Sequence, residues 1–318
     1  MMQYRATWYF LICFLAIPAC FIGITSGALA AVPLSPTYAN VHYGPSPHQI
    51  MDIYIPPKDK GPFPVLLWYG NLWVAGKGAA YPAMFIHAGC AEIDVEMRTM
   101  TDAVKAGVNP PISYPLLDAC RAVQFVRLHA ARWHIDSTRI AVGGGSQGNL
   151  PALFVACGGV KANPDARDPV QRVSTKVLCV GAWRPGAALT IDPKHAHEWV
   201  PAVQWGAPAW GCSFATALKH RQQLLPEIKR WSPDWLLGKN TPPIYIEFNY
   251  PLNKAPAWVL KKYGYMDFLI HNPKWGVGFQ NLARKHGVTC YLQYPGHHSR
   301  KYKNVWNFLI RQLTAPTR

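Results

Sequence analysis

Several short stretches of this chain alternate between polar and apolar residues, while others are apolar at almost every position. Residues 49–55 and 91–97 alternate with a period of two, which predicts strands with one solvated face. Residues 64–69 are apolar throughout, as in a strand that a sheet buries on both faces. Further strands are predicted at residues 175–183, 243–249 and 288–294.

Stretches with helical spacing separate these strands. Residues 115–128 place apolar side chains three or four positions apart, with Asp118 in the first turn, where a carboxylate favours the helix dipole. Helices are also predicted at residues 147–155, 276–285 and 302–313. Strands that alternate with helices favour a mainly parallel sheet covered by helices on both faces. We therefore predict an α/β fold, with one domain over residues 31–318.

Residues 184–241 interrupt this alternation. They contain many prolines and few strand signals, which favours a helical insertion or lid over a second domain. They also hold a group of tryptophans: Trp199, Trp205, Trp210, Trp231 and Trp235. If exposed, these rings would stack on sugars, and the alternative is that they pack the lid against the core.

The N-terminus has the pattern of an export signal. Arg5 precedes the largely apolar residues 8–24, and Ala28-Leu29-Ala30 provides the small residues of a cleavage site before Ala31. A membrane anchor of marginal length is the alternative. We expect residues 1–30 to be a signal peptide, and the remaining chain to be periplasmic or secreted, without a stable membrane span.

Charge and cysteine spacing indicate which classes of partner and cofactor to expect. The formal net charge is +16, which favours attraction to anionic partners such as an acidic polysaccharide or a membrane surface. No lysine- or arginine-rich run and no nucleic-acid-binding module is present, so we expect no nucleic acid as partner. The cysteines show neither C-x-x-C nor metal-ligand spacing, and we expect no metal site and no cofactor.

A glycine-dense turn follows the apolar residues 140–142. Gly144, Ser146 and Gly148 fit G-x-S-x-G, the nucleophile elbow, in which a serine occupies a tight turn between a strand and a helix. We expect both glycines to be required because a Cβ at either position would collide with the neighbouring backbone. The helix that follows directs its N-terminal N–H groups toward the serine, where negative charge would develop.

Four further stretches resemble one family when taken in their order along the chain. They are MDIYIP at residues 51–56, PLLDA at 115–119, IDSTRI at 135–140 and LQYPGHH at 292–298. With the elbow, they resemble α/β-hydrolases of the exported bacterial esterase and lipase kind, related to acetyl-xylan esterases and hormone-sensitive-lipase-like proteins. The resemblance runs from about residue 40 to residue 313, apart from the tryptophan-rich insertion, and implies Ser146 as a nucleophile.

A nucleophilic serine needs a base and an orienting carboxylate, which in this fold follow it in the order acid, then histidine. The family's histidine follows the last long strand, which leaves His297 and His298. Spacing from Gly296 favours His298, although His297 is only one position away.

The resemblance places the acid less directly. Residues 252–253 stand where the family has an aspartate, but they are leucine and asparagine. Counting back about twenty residues from Gly287, which begins the histidine strand in the family, leads to Asp267. An insertion over residues 251–265 accounts for the difference. The alternatives are Glu247, within a predicted strand, and Asp234, after Pro233.

The loop after the strand at residues 64–69 also departs from the family. Where the family has H-G-G-G-W, this chain has Tyr69-Gly70-Asn71-Leu72-Trp73. Backbone N–H groups form the oxyanion hole there, so side chains can differ if the backbone path survives. We expect the donors to be the N–H groups of Asn71 or Leu72 together with that of Gln147.

These residues predict a secreted serine hydrolase that cleaves a carboxylic ester through an acyl-enzyme. The substrate would be a small-molecule ester or an acylated polysaccharide. A serine peptidase of the same fold would use the same residues. A catalytically silent exported binding protein is the remaining alternative, favoured by the altered oxyanion loop and the displaced acid.

Overall fold

A computed structural model of the protein describes residues 34–57 and 61–316. The predicted signal peptide, residues 1–30, lies outside them. Within the described ranges, no helix is both long and apolar enough to cross a membrane, and no cluster of histidine, cysteine and acidic side chains could hold a metal ion. The cysteines in these ranges are all free thiols.

The described residues contain an eight-stranded sheet in which seven strands run in the same direction. From edge to edge the order is β1-β2-β4-β3-β5-β6-β7-β8, and β2 is the strand of this sheet that runs in the opposite direction. The strands are β1 (Tyr38–His42), β2 (Ile50–Tyr54), β3 (Phe63–Tyr69), β4 (Ala91–Val95), β5 (Ile135–Gly145), β6 (Val180–Trp183), β7 (Ile244–Glu247) and β8 (Cys290–Gln293).

Helices occupy both faces of this sheet, as the alternation of patterns predicts. They are α1 (Pro82–His87), α2 (Met100–Lys105), α3 (Ser113–Leu128), α4 (Asn149–Ala156), α5 (Pro193–Trp199), α6 (Phe214–Lys219), α7 (Arg221–Trp231), α8 (Pro233–Leu236), α9 (Ala257–Lys262), α10 (Gly264–Ile270), α11 (Lys274–Lys285) and α12 (Val305–Leu313). The sequence pattern predicts α3, α4, α11 and α12, whereas the short helices α1, α2, α9 and α10 carry too few residues for a clear period.

Strand β3 shows how the sequence divides the core. All seven of its residues are buried, and successive side chains enter opposite faces of the sheet. Leu67 contributes to the larger core, which includes side chains of α3 and α4, while Trp68 contributes to a smaller core formed with α1 and α12. The parallel register brings the carboxyl ends of β3, β5, β6 and β7 to one edge of the sheet.

Residues 184–241 contain α5 to α8 and two 3-10 turns, and no strand. None of the five tryptophans in this segment is exposed, and all pack against the larger core. The hypothesis of exposed tryptophans that stack on sugars therefore fails here. Packing against the core, the alternative, describes their position.

Two buried carboxylates anchor this segment. Asp192 accepts two hydrogen bonds from the Arg221 guanidinium at 2.7 and 2.6 Å. Asp234 Oδ2 lies 2.6 Å from His195 Nδ1, and the His195 ring stacks between Trp199 and Trp235. Burial acts to lower the pKa of His195, but the hydrogen bond and charge of Asp234 raise it above the usual value. The carboxylate of Asp234 is thus engaged within residues 184–241.

Candidate active site

The turn after β5 holds Ser146 in an unusual backbone conformation. Ser146 has φ +48°, in the left-handed region that residues with a side chain rarely adopt. The serine begins a 3-10 turn, Ser146–Gly148, which continues directly into α4. This is the strand–turn–helix context that a nucleophile elbow requires.

The two flanking glycines are required by close backbone approach. A Cβ on Gly144 would lie 2.2 Å from the backbone of Gly148, and a Cβ on Gly148 would lie 2.2 Å from the carbonyl oxygen of Tyr69. Both distances are far below van der Waals contact, so the steric expectation drawn from the G-x-S-x-G pattern describes this turn. The collision with Tyr69 also shows that β3 and the elbow are in direct backbone contact.

Asn149 fixes the elbow from beneath. Its side-chain Nδ2 donates to the carbonyl oxygen of Ser146 at 2.8 Å and to that of Trp183 at 3.0 Å. Asn149 is fully buried, so these hydrogen bonds tie the turn to the end of β6 in a low-dielectric setting. The strained serine is therefore held from both sides, by the glycine contacts and by this amide.

The hydroxyl of Ser146 faces a histidine. Ser146 Oγ lies 3.2 Å from Nε2 of His271, the residue that follows the last turn of α10. The His271 side chain is 14% exposed, so bulk water has little access to the pair. This distance lets the imidazole accept the serine proton, which is the role of a general base.

Asp267 lies on the other side of the same imidazole. His271 Nδ1 is 3.3 Å from Asp267 Oδ1 and 3.2 Å from the Asp267 carbonyl oxygen. The two residues are four positions apart, so one helical turn brings them to the same face of α10. Ser146, His271 and Asp267 thus form a continuous chain of polar contacts.

Two further side chains support the carboxylate. Tyr250 donates its hydroxyl to Asp267 Oδ2 at 2.6 Å, and Arg184 Nη2 donates to the Tyr250 oxygen at 3.3 Å. Burial acts to raise the pKa of Asp267, but the hydrogen bonds from His271 and Tyr250, and the Arg184 charge, lower it below its usual value. Asp267 is therefore held in the ionised form that can orient and stabilise a charged imidazole.

The predicted histidines occupy a different position. His297 and His298 follow β8 and are both exposed, and His297 stacks on Tyr294, with which it exchanges two backbone hydrogen bonds. The structure brings Ser146 together with His271, rather than with either of them. The available sequence signal was the spacing of Asp267 and His271, since a histidine four residues after the candidate acid reaches it across one turn.

The other two candidate acids are engaged elsewhere. Asp234 contacts His195 within the insertion, and Glu247 Oε2 accepts the backbone N–H of Val305 at the start of α12. Asp267 is the candidate that the structure places beside the histidine facing Ser146.

The predicted oxyanion donors lie close to the elbow. The N–H of Leu72 donates to the side-chain oxygen of Gln147 at 3.1 Å, and Leu72 itself is fully buried. Asn71 is exposed at the start of the same loop. The Gln147 side chain therefore connects the elbow to the loop after β3, and one of the predicted donors serves this connection.

Comparison with known protein families identifies the family to which the chain belongs. The BD-FAE family model matches residues 51–247, which is more than half of the chain. The chain belongs to the BD-FAE family. This family is one of the α/β-hydrolases, as the elbow and the sheet order indicate. A comparison with curated proteins gave no match.

Solved structures share the fold of this BD-FAE member at low sequence identity. An acetyl ester-xyloside bifunctional hydrolase from Caldicellulosiruptor lactoaceticus is 18% identical, with 83% of this chain and 87% of that chain covered, at a TM-score of 0.57. A truncated carbohydrate esterase from gut microbiota is 19% identical, with coverage of 87% and 96% and a TM-score of 0.57. A bifunctional GH43-CE protein from Bacteroides eggerthii has a TM-score of 0.61 at 18% identity, with coverage of 86% of this chain and 38% of that chain.

The BD-FAE match covers only part of the candidate site. Residues 51–247 include Ser146, Gln147 and the loop of Asn71 and Leu72, but the match ends at the last residue of β7. Asp267 and His271 lie beyond it, in the segment between β7 and β8. Family membership therefore supports the elbow, whereas the acid and the base rest on the geometry of this structure.

Proposed function

We propose that this protein is a serine hydrolase that cleaves carboxylic esters through an acyl-enzyme. Ser146 is the nucleophile, His271 the general base and acid, and Asp267 the carboxylate that orients the imidazole. The observation that carries the proposal is the contact of 3.2 Å between Ser146 Oγ and His271 Nε2, with Asp267 on the opposite ring nitrogen. Serine hydrolases need a nucleophile that contacts the base, and a base that contacts the acid through its other ring nitrogen.

The steps follow from these positions. Ser146 Oγ attacks the ester carbonyl carbon while its proton passes to His271 Nε2, and Asp267 stabilises the resulting imidazolium. His271 then donates that proton to the leaving alcohol oxygen as the ester bond breaks, which leaves an acyl group on Ser146. A water molecule attacks the acyl carbon with His271 as base, and the carboxylic acid departs as Ser146 regains its proton.

The oxyanion of each tetrahedral intermediate requires N–H donors beside Ser146. We assign the Gln147 N–H as one donor, since it follows the nucleophile in the 3-10 turn before α4, and the loop of Asn71 and Leu72 as the source of the other. Because the Leu72 N–H is bonded to the Gln147 side chain, we assign the second donor to Asn71, the other of the two predicted residues. Each such donor is typically worth about 3 kcal/mol of barrier.

An ester of a carbohydrate is the substrate class that we propose. Membership of the BD-FAE family supports an esterase, and solved structures of the same fold include a carbohydrate esterase and an acetyl ester-xyloside hydrolase. The signal-peptide pattern at residues 1–30 agrees with an exported enzyme that meets such a substrate outside the cytoplasm.

The first test is labelling with a fluorophosphonate probe, which reacts with activated serines. We expect the purified protein to be labelled and Ser146→Ala to be unlabelled, and acetylated xylan and p-nitrophenyl acetate to be hydrolysed by the wild type alone. Activity on peptide substrates without activity on esters would replace the esterase by a peptidase. An unlabelled but folded wild type would leave only a binding function.

The second test distinguishes the histidines. We expect His271→Ala to lower kcat/KM by at least about a thousandfold, because the serine loses the group that takes its proton. The double variant His297→Ala/His298→Ala is the matched control, and it should retain activity within about threefold of wild type. The reverse outcome would return the base to the loop after β8 and refute the role of His271.

A further inference from the structure

Exposed apolar side chains are concentrated on one short segment. Of the twelve large hydrophobic residues that are exposed in the described ranges, five lie within residues 258–266, on α9, on α10 and at their junction. We call these five the hairpin patch: Trp258 (56% exposed), Leu260 (45%), Tyr263 (39%), Tyr265 (59%) and Met266 (54%). Single exposed apolar residues are common on protein surfaces, whereas a dense group of them marks an interaction site.

Two residues of the patch also contact the small core beneath α9 and α10, since Trp258 meets Tyr250 edge to face and Tyr265 stacks on Phe268. The inner sides of α9 and α10 bury Val259 and Phe268 against Tyr250, which forms a small core of its own. Exposed rings of the patch also contact one another. Trp258 and Tyr263 meet edge to face with ring centroids 6.3 Å apart, so they form a continuous exposed surface.

The charges around the patch have one sign. Lys254, Lys261 and Lys262 are all exposed beside it, and the Lys262 ammonium lies 5.0 Å from the Tyr263 ring centroid. Between residue 248 and the C-terminus the sequence contains a single acidic residue, Asp267, whose carboxylate is engaged by Tyr250 and His271. The hairpin therefore presents apolar side chains beside exposed lysines, and the one acidic residue in its own stretch of sequence is engaged.

We infer that the hairpin patch docks on an anionic phospholipid bilayer. Tryptophan and tyrosine favour the level of the headgroups, leucine and methionine favour the acyl boundary, and lysines are attracted by anionic lipids. The excess of positive charge over the whole chain, +16, adds to this attraction. The docked protein lies on the bilayer without spanning it.

A polysaccharide surface is the competing partner, and the composition of the patch disfavours it. Sugar recognition combines flat aromatic rings with polar groups that hydrogen-bond the hydroxyls, and the acidic residue of this segment is already occupied. Leu260 and Met266 have no counterpart in that chemistry, whereas an acyl boundary accommodates both.

Docking has a consequence for the candidate site. Asp267 lies on α10, the helix that carries Tyr265 and Met266, and His271 directly follows it, so a protein bound through the patch carries its proposed acid and base near the membrane surface. The inference goes beyond the proposed function, since vesicle binding does not require Ser146 to react. Ser146→Ala protein should bind to the same extent as wild type.

The test is co-sedimentation with vesicles of phosphatidylcholine alone or mixed with phosphatidylglycerol. We expect the wild type to bind the mixed vesicles and to be released by salt, with about fivefold weaker binding for each of the three lysines replaced by glutamine. Tyr265→Ser/Met266→Ser should weaken binding by on the order of tenfold or more, because both side chains lose their burial in lipid.

A matched control exists on the other side of the sheet. Tyr81 and Met84 are 49% and 40% exposed. Phe85 of α1 packs in the smaller core on one face of the sheet, whereas Leu269 of α10 packs against the larger core on the other face. Tyr81→Ser/Met84→Ser removes the same two side-chain types and should bind like wild type. Each variant should keep the wild-type melting temperature within a few degrees, which shows that it is folded.

Three results would overturn the inference. The first is a wild type that fails to bind phosphatidylglycerol vesicles. The second is equal binding by wild type and the Tyr265→Ser/Met266→Ser variant, which would assign the binding to charge elsewhere on the chain. The third is retention on insoluble xylan that depends on the hairpin patch, without vesicle binding, which would make the partner a polysaccharide.

Discussion

Asp267 Oδ1 lies 3.3 Å from His271 Nδ1, and the two residues are one turn apart, with His271 directly after the last residue of α10. The proposed acid and base are thus supplied by α10 and the residue that follows it, instead of by two separate loops. A displacement of α10 moves both groups together, so their mutual geometry is local. The distance from His271 to Ser146 depends on how α10 packs at the end of the sheet, where the carbonyl of Ile270 approaches Gly186.

Tyr250 is predicted to tune this pair. Its hydroxyl lowers the pKa of Asp267, so Tyr250→Phe should raise that pKa and shift the acid limb of the kcat/KM profile to higher pH. We expect kcat to fall by about tenfold as the carboxylate loses its orientation. A pH–rate profile measures both effects.

The matched control for this change is Tyr245→Phe. Tyr245 is also buried and donates its hydroxyl to Gln293 Oε1 at 2.7 Å, away from Asp267. The Tyr245→Phe variant should be less stable than wild type, and the acid limb of its kcat/KM profile should not move. The pKa of Asp267 is lower in the folded protein than in the unfolded chain, where it is about 3.8, so its ionised carboxylate stabilises the fold above that pH. This stabilisation is lost as the pH falls through the folded pKa. An unmoved acid limb in Tyr250→Phe would contradict the role of Tyr250.

Gln147 is predicted to hold the loop that provides the oxyanion donor. Gln147→Ala removes the acceptor of the Leu72 N–H, and we expect kcat to fall by about tenfold while KM changes less, because the donor acts on the transition state. Gln147→Glu keeps an oxygen in the same place and should retain more activity than the alanine variant. Steady-state kinetics on p-nitrophenyl acetate distinguish the variants. A gain in kcat for Gln147→Ala would mean that the side chain blocks the donor instead of placing the loop.

The elbow predicts a large difference between two glycine substitutions. Gly148→Ala places a Cβ 2.2 Å from the Tyr69 carbonyl oxygen, so the turn must move away from β3. We expect the melting temperature to fall by about 5 °C or more and the activity to be lost. Gly76→Ala is the control, because a Cβ at that position would meet no atom within 4 Å and the loop is near the same strand. Calorimetry that finds the two variants equally stable would contradict the steric account.

A buried pair of carboxyl groups predicts how stability changes with pH. Glu92 and Asp94 lie on β4, and neither oxygen of Glu92 has a hydrogen-bond partner within residues 34–57 and 61–316. Burial, together with the charge of Asp94, raises the pKa of Glu92, and burial also raises the pKa of Asp94. The folded state then binds more protons than the unfolded state, so stability falls as pH rises from the usual carboxyl range to the raised value.

Glu92→Gln should remove much of this dependence. We expect the variant to gain on the order of 1 kcal/mol relative to wild type between about pH 5 and about pH 9. Urea unfolding at both pH values gives the free energies of unfolding. Glu198→Gln, at an exposed position on α5, is the control and should follow the wild type. Parallel pH curves for Glu92→Gln and wild type would show that Glu92 does not titrate in this range.

Local pattern was sufficient for much of the fold. Period-two alternation and continuous apolar runs predict the positions of β2, β3 and β4. Successive side chains of a strand point to opposite faces of the sheet, so the sequence shows whether one face or both are buried. The pattern missed β1, whose residues 38–42 are mostly exposed and carry no apolar period. It also missed the short helices of the hairpin, which are stabilised by packing around Tyr250 more than by their own sequence.

The sequence by itself determined the elbow, since two glycines around Ser146 have a steric reason that is complete within one turn. The resemblance to the α/β-hydrolases led to Asp267, through the family's spacing between the acid and the strand that precedes the histidine. Only the tertiary structure decided which histidine faces Ser146, because His271 has the same chemistry as the two candidates His297 and His298 and differs from them only in its position in the fold. His271 reaches a serine 125 positions away, and Gln147 reaches Leu72 across 75. Contacts of that kind arise from the packing of distant segments, and no local pattern encodes them.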